Sequence, residues 1–256
     1  MEQMSTERAG KVSDDFAHYG RPPETQLERR GNNPMTKLAV FDLDGTLVDT
    51  APDLAASLNV CLLADGLDVL PLGVVRPHAG HGAVAMLKAA YAYFQRDLPD
   101  ALVDEHLERF LAHYETNIAE TSRPFPGVLA AMDRLAEAGW TFAVCTNKRE
   151  HLAVRLLDEL DLSGRFAAIC GQDTFSAMKP DPAHLGGTIE RSKSSAENSV
   201  MIGDTMTDIA AAHALAIPSI LVDFGYAPDD GARANATAVI SHYDALTPAF
   251  ATELIG

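Results

Sequence analysis

Cationic residues are scarce in this chain. Of its 256 residues 20 are Lys or Arg against 36 Asp or Glu, a formal charge of −16. So acidic a chain lacks the positive footprint that nucleic acid or an anionic membrane requires. A small anionic ligand remains open only where a metal ion or local cations offset the acids around it. Cysteine is scarce too: Cys61, Cys145 and Cys170 are odd in number, widely spaced and set among apolar neighbours. They form no zinc pattern and read as buried free thiols in a reducing compartment. No apolar run approaches the length of a membrane span, and no secretory signal opens the chain. The expectation is a cytoplasmic protein with no membrane and no nucleic-acid partner; oligomeric state is left open.

What is present suits a globular fold. Hydrophobic residues make up 47% of the chain, enough for one large α/β domain or a core domain with an insertion. Residues 1–34 differ from the rest, being charged and polar with several Gly and Pro and no sustained periodicity. Such a composition cannot bury enough apolar surface to offset the entropy of ordering, and it reads as a flexible leader. Met35 lies just before the first strand, so a chain beginning there is expected to stay folded and active. Loss of soluble expression on that truncation would refute the expectation.

Leu38 to Phe41 is a short apolar run of buried-strand character that ends abruptly in Asp42. Asp44 follows, then Gly45, which forces a turn. Side chains alternate along a strand, so Asp42 and Asp44 converge on one pocket only if the chain bends between them. Open α/β sheets place their ligands at this carboxyl edge. From Thr50 the pattern turns helical: Pro52 suits a first turn, and Leu54, Leu58, Cys61 and Leu62 recur at helical spacing. Two more apolar stripes follow, from Val84 to Phe94 and from Val103 to Ile118. No strand signal lies between residues 51 and 123, which predicts a helical cap inserted after the first strand. Pro124-Phe125-Pro126-Gly127 marks the return. Thereafter strands and helices alternate. Strands are expected at Trp140 to Cys145, Phe166 to Cys170, Ser199 to Ile202, Ser219 to Val222 and Val239-Ile240. Helices are expected from Val128, around Leu152 to Leu160, over Asp181 to Arg191 and from Asp204 to Leu215. The alternation implies a doubly wound parallel sheet, a Rossmann-like core of residues 35–50 and 124–256 around the inserted cap of residues 51–123.

Three further junctions carry polar residues that a sheet does not need. Thr146-Asn147-Lys148 follows a strand; Thr146 or Asn147 caps a helix starting near Lys148, or serves a phosphate at that helix's N-terminus. Lys179 precedes Pro180-Asp181-Pro182, whose rings stiffen the loop around it. Gly203-Asp204 ends a strand, and Asp208 lies four residues on, where it could simply complement the helix dipole.

The string Asp42-Leu43-Asp44-Gly45-Thr46-Leu47-Val48-Asp49, with Thr146, Lys179-Pro180 and Gly203-Asp204…Asp208 downstream in that order, resembles the four motifs of the haloacid dehalogenase-like (HAD) phosphohydrolases. The resemblance covers roughly residues 36–250. It implies phosphoryl transfer through an aspartyl-phosphate: Asp42 attacks phosphorus, and Asp44 protonates the leaving alkoxide and then deprotonates water. Thr146, Asn147 and Lys179 would grip substrate. Four close carboxylates cannot all ionise without an offsetting charge, and hard oxygen donors fit Mg²⁺. The Asp42 carboxylate, the Asp44 carbonyl and Asp204 would hold it, with Asp208 supporting Lys179 or a metal-bound water. An acid at Asp44 argues against halide displacement. The Thr-Asn-Lys motif, the helical cap and Gly80-His81-Gly82 look most like the phosphoglycolate phosphatase branch, although His78 and His81 are polar where that branch usually has small or apolar neighbours. His81 could touch substrate or sit in a turn before the next helix; His78 and Arg149 are further candidates. The partner implied is a small phosphorylated metabolite. Alternatives are a sugar-phosphate mutase, a nucleoside monophosphate phosphatase, or an inactive binding or regulatory protein.

Overall fold

The computed structural model describes residues 36–226 and 228–256. The expected leader, residues 1–34, lies outside them. Six parallel strands form the main sheet: β1 (Leu38–Phe41), β4 (Thr141–Cys145), β5 (Ala168–Cys170), β6 (Ser199–Gly203), β7 (Ser219–Val222) and β8 (Ala238–Ile240), in the order β5-β4-β1-β6-β7-β8. β1 sits between β4 and β6, with Val40 opposite Ala143 on one side and Met201 on the other. Chain order runs outward from β1 to β5 and then returns to β6, so the direction of winding reverses at β1. Its carboxyl end is therefore the crevice where an open α/β sheet receives a ligand.

Both faces of the sheet are covered, which is why its strands read as apolar runs rather than alternations. Ala39, Phe41, Val144 and Ile202 point into one core with α5 (Val128–Glu137) and α6 (Glu150–Glu159). Leu38, Val40, Cys145 and Met201 point into the other, against α7 (Pro182–Arg191) and α8 (Met206–Ala214). All three cysteines are buried and free. Burial pushes the Cys145 thiol up to about 12 and the Cys61 thiol up to about 11.

Two short strands absent from the expectation, β2 (Val48–Asp49) and β3 (Arg123–Pro124), pair antiparallel. Between them the described chain is helical, with α1 (Ala51–Ala64), α2 (Leu72–Val75), a 3₁₀ turn (Arg76–His81), α3 (Ala83–Tyr93) and α4 (Asp100–Thr116). Leu54, Met86 and Phe110 of these helices join the same buried cluster as Phe41. The expectation also lacked α9 (Asp230–Asn235) and α10 (Pro248–Ile255). Among the described residues no helix is long and apolar enough to cross a membrane.

Two helix starts differ from expectation. α6 begins at Glu150 with Arg149 as N-cap and no side-chain cap. Thr146 and Asn147 therefore cap nothing; the Thr146 hydroxyl accepts the Lys148 N–H at 3.2 Å, inside the loop. α8 begins at Met206 rather than at Asp204, because Thr205 and Asp208 form a capping box that fixes its first turn.

Candidate active site

The end of β1 aims Asp42 into a cavity of about 510 Å³. Asp42 still belongs to the sheet, its N–H donating to the Ile202 carbonyl at 2.8 Å, and the turn begins only after it. Lys179 donates to Asp42 Oδ1 at 2.8 Å and to Asp208 Oδ1 at 2.6 Å. Thr205 holds the other Asp208 oxygen through its N–H and hydroxyl. Asp208 thus fastens the helix start and the lysine together. Asp204, wholly buried, accepts from the Thr46 hydroxyl at 3.1 Å and from the Tyr226 N–H at 2.8 Å. One carboxylate oxygen from each of Asp42, Asp204 and Asp208 lies within 4.8 Å of the others.

Glycine is required where the chain passes these acids. Gly45 has φ +86°, and a Cβ there would lie 2.5 Å from Asp204 Oδ2. A Cβ on Gly203 would lie 2.3 Å from the Asp208 side chain.

The electrostatics follow from this crowding. Burial lifts Asp42 to about 6, with Lys179 pulling the other way and Asp208 adding to the rise. Burial, then Asp42 and Asp208, lift Asp204 to about 8. Burial works against the Lys179 ammonium, but Asp208 and Asp42 outweigh it and hold its pKa above the ordinary lysine range. One buried cation facing three carboxylates leaves negative charge in excess. Three hard oxygen donors so close together are chemically suited to a hard divalent cation.

Asp44 lies to the side of this trio. Its carboxylate accepts from the Thr50 hydroxyl at 2.6 Å and from Lys148 Nζ at 3.0 Å to each oxygen. Thr146 is buried and lines the cavity. The Asn147 amide donates to the Lys179 carbonyl at 2.9 Å, so it braces the lysine loop, while its own Oδ1 is buried without a partner among the described residues. His81 is exposed and lines the cavity from the end of the 3₁₀ turn. Arg149 also lines the cavity. His78 does not; it lines a separate cavity of about 250 Å³ with Tyr93.

Several residues were missed by sequence reasoning. Lys148 stands in the sequence only as part of a motif, yet its ammonium grips Asp44. The Tyr226 hydroxyl, from the loop after β7, accepts the N–H groups of Thr50 (2.6 Å) and Ala51 (2.8 Å) and donates to Asp49 at 3.0 Å. His184 accepts the Lys179 N–H on Nδ1 at 3.2 Å. Burial and the Lys179 charge drive its imidazole down to about 4, so it stays neutral and serves as a fixed acceptor. The contacts of Lys148 and Tyr226 have no local signal, because their partners are brought together only by the fold; His184 lies five residues from Lys179, across the turn that opens α7.

A parallel sheet with a switch-point carboxylate, a bonded lysine and a buried acidic trio defines a phosphoryl-transfer class of α/β enzyme. A family model described as "Haloacid dehalogenase-like hydrolase" matches residues 39–222. The chain is 45% identical over 224 residues to a phosphoglycolate phosphatase of Agrobacterium fabrum, covering 88% of this chain and 96% of that one. It is 47% identical over 218 residues to a phosphoglycolate phosphatase of Mesorhizobium japonicum, covering 85% and 96%. A crystal structure described as a predicted phosphoglycolate phosphatase from Haemophilus somnus matches with TM-score 0.74 at 25% identity, covering 83% of this chain and 96% of that one. The chain belongs to the haloacid dehalogenase-like hydrolases, and it is a phosphatase of that family.

Proposed function

We propose that this phosphatase is a cytoplasmic, Mg²⁺-dependent hydrolase of 2-phosphoglycolate that works through an aspartyl-phosphate on Asp42. The observation that carries the chemistry is the grouping at the tip of β1: a buried carboxylate 2.8 Å from a lysine ammonium, with two more carboxylates within 4.8 Å. The substrate rests on the two bacterial relatives at 45% and 47% identity, each matched over 96% of its length.

The free oxygen of Asp42 attacks phosphorus in line with the ester bridge. As the P–O bond to the alcohol breaks, the alkoxide takes a proton from the Asp44 carboxyl. A water molecule then loses a proton to Asp44 and attacks the acyl phosphate, releasing inorganic phosphate and restoring the Asp42 carboxylate. Lys179 and the Thr146 hydroxyl hold the phosphate oxygens. Asn147 braces the lysine loop, and Asp208 fixes the ammonium between itself and Asp42. The Asp42 carboxylate, the Asp44 carbonyl and Asp204 would hold Mg²⁺, which would supply the charge shielding that lets an anion approach an anionic ester. Residues 51–123 act as a cap over the core formed by residues 35–50 and 124–256, and His81 faces substrate from that side.

A phosphate-release screen over 2-phosphoglycolate, hexose phosphates and nucleoside monophosphates, with Mg²⁺ and with chelator, tests this. The highest kcat/KM is expected on 2-phosphoglycolate, with one phosphate freed per ester consumed and no turnover in chelator. Consumption without phosphate release would mean a mutase. Preference for nucleoside monophosphates would mean a nucleotidase, and silence across the panel a binding protein.

A further inference from the structure

Lys148 is a cation with one carboxylate for company. Its side chain is 6% exposed, its ammonium lies 3.0 Å from each oxygen of Asp44, and Asp44 is its one ion-pair partner among the described residues. On its other side it sits 4.6 Å from the ring centre of Tyr114, on α4. Tyr114 is 1% exposed; the Lys148 ammonium lies close enough to pull its phenol down against the rise that burial imposes, and its hydroxyl finds no acceptor among the described residues. A buried hydroxyl left without an acceptor forfeits free energy unless a ligand supplies one. Both side chains line the cavity that holds Asp42.

The same Asp44 has to reach the bridging oxygen of the ester. Leaving Lys148 would strand a desolvated ammonium, which is unfavourable unless another anion takes its place. We propose that Lys148 and Tyr114 form the subsite for an anionic tail on the substrate. A carboxylate attached one carbon from the bridging oxygen replaces Asp44 on the Lys148 ammonium and accepts a hydrogen bond from the Tyr114 hydroxyl. That exchange frees the Asp44 side chain to turn to the bridging oxygen beside it. A neutral tail cannot make the exchange, and Asp44 stays gripped by Lys148 and Thr50. Selectivity then resides in kcat as well as in KM, because the tail completes the catalytic arrangement. Of the other basic groups on the cavity wall, Lys179 is taken up by Asp42 and Asp208, while His81 and Arg149 are exposed and so hold an anion less firmly than a buried ammonium.

The inference rests on the phosphatase reading above, and the test separates the two. The parent, Lys148→Met and Tyr114→Phe are assayed with Mg²⁺ on 2-phosphoglycolate and on 2-hydroxyethyl phosphate, which keeps the bridge but carries no charge on its tail. The parent should favour the acid. That preference, as a ratio of kcat/KM values, should fall by about 10- to 100-fold in Lys148→Met, the worth of one charge-assisted hydrogen bond, and by less in Tyr114→Phe. A poorly folded fraction lowers both rates alike and leaves the ratio untouched; Tyr114→Phe removes a single oxygen and guards against loss of fold. A parent that hydrolyses both esters equally well, or a ratio unchanged in both variants, overturns the subsite while the phosphatase reading stands. A parent inactive on both esters sinks that reading and the subsite with it.

Discussion

Lys179 is bonded to two carboxylates at once, and the consequences of removing either kind of partner differ. Asp42→Asn keeps the shape of the side chain but removes the attacking oxygen's charge. It should lower kcat/KM by at least about 10³-fold on the preferred ester. Its urea midpoint should hold or rise, since a carboxylate held up near 6 by burial is lost. Lys179→Met leaves Asp42 and Asp208 facing each other without a cation. It should be both inactive and less stable by about 3–5 kcal/mol in urea denaturation. An Asp42→Asn enzyme as active as the parent would remove that carboxylate from the chemistry. At this scale the acids and Lys179 were legible because Asp42 and Asp204 close apolar runs and Lys179 stands just before a pair of prolines that fixes its place. Lys148, Tyr114 and Tyr226 were not, since what each touches depends on loops and helices far apart in the chain.

The elements divide along the same line. Strands buried on both faces, such as Leu38–Phe41 and Ser219–Val222, stand out as apolar runs, and the expected bounds of both match the fold. Thr141–Cys145 and Ala168–Cys170 are shorter than expected, by one and two residues at their starts. β2 and β3 escaped because two residues each cannot show a period; only the pairing of Asp49 with the distant Arg123 and of Val48 with Pro124 makes them strands. Beside that ribbon lies Asp53, buried in the first turn of α1. It accepts from the N–H of Thr121 (3.0 Å), the N–H of Ser122 (2.8 Å) and the hydroxyls of both. The carboxylate therefore ties the start of the helical segment to its end. Asp53→Ala would strand the Ser122 N–H and hydroxyl in a buried place, Thr121 being exposed, and should cost about 1–3 kcal/mol of unfolding free energy. Urea denaturation followed by circular dichroism measures this; a loss under about 1 kcal/mol would show that the ribbon alone holds the two ends.

Across the whole molecule, acidic charge is in excess, and the site concentrates it. Asp42 and Asp204 rise from an ordinary 3.8 to about 6 and about 8 in the fold. A folded-state pKa above the unfolded one means that folding favours the protonated carboxyl. The contribution of these two groups to stability is therefore full below about pH 4 and is lost as pH climbs through 6 and then 8. A divalent cation bound by the same oxygens favours the opposite, ionised state, and protons compete with it. The rise in melting temperature on adding Mg²⁺ should accordingly grow from about pH 5 to about pH 8.5, even though the metal-free protein is losing these groups' contribution over that range. Comparing melts with and without Mg²⁺ at each pH cancels the titration of the many surface acids, which the cation leaves unchanged. Asp204→Asn should flatten the trend, since the group with the larger shift is gone. A Mg²⁺ effect that is equal at both ends of the range, or that survives in Asp204→Asn with the same slope, would place the cation on other ligands.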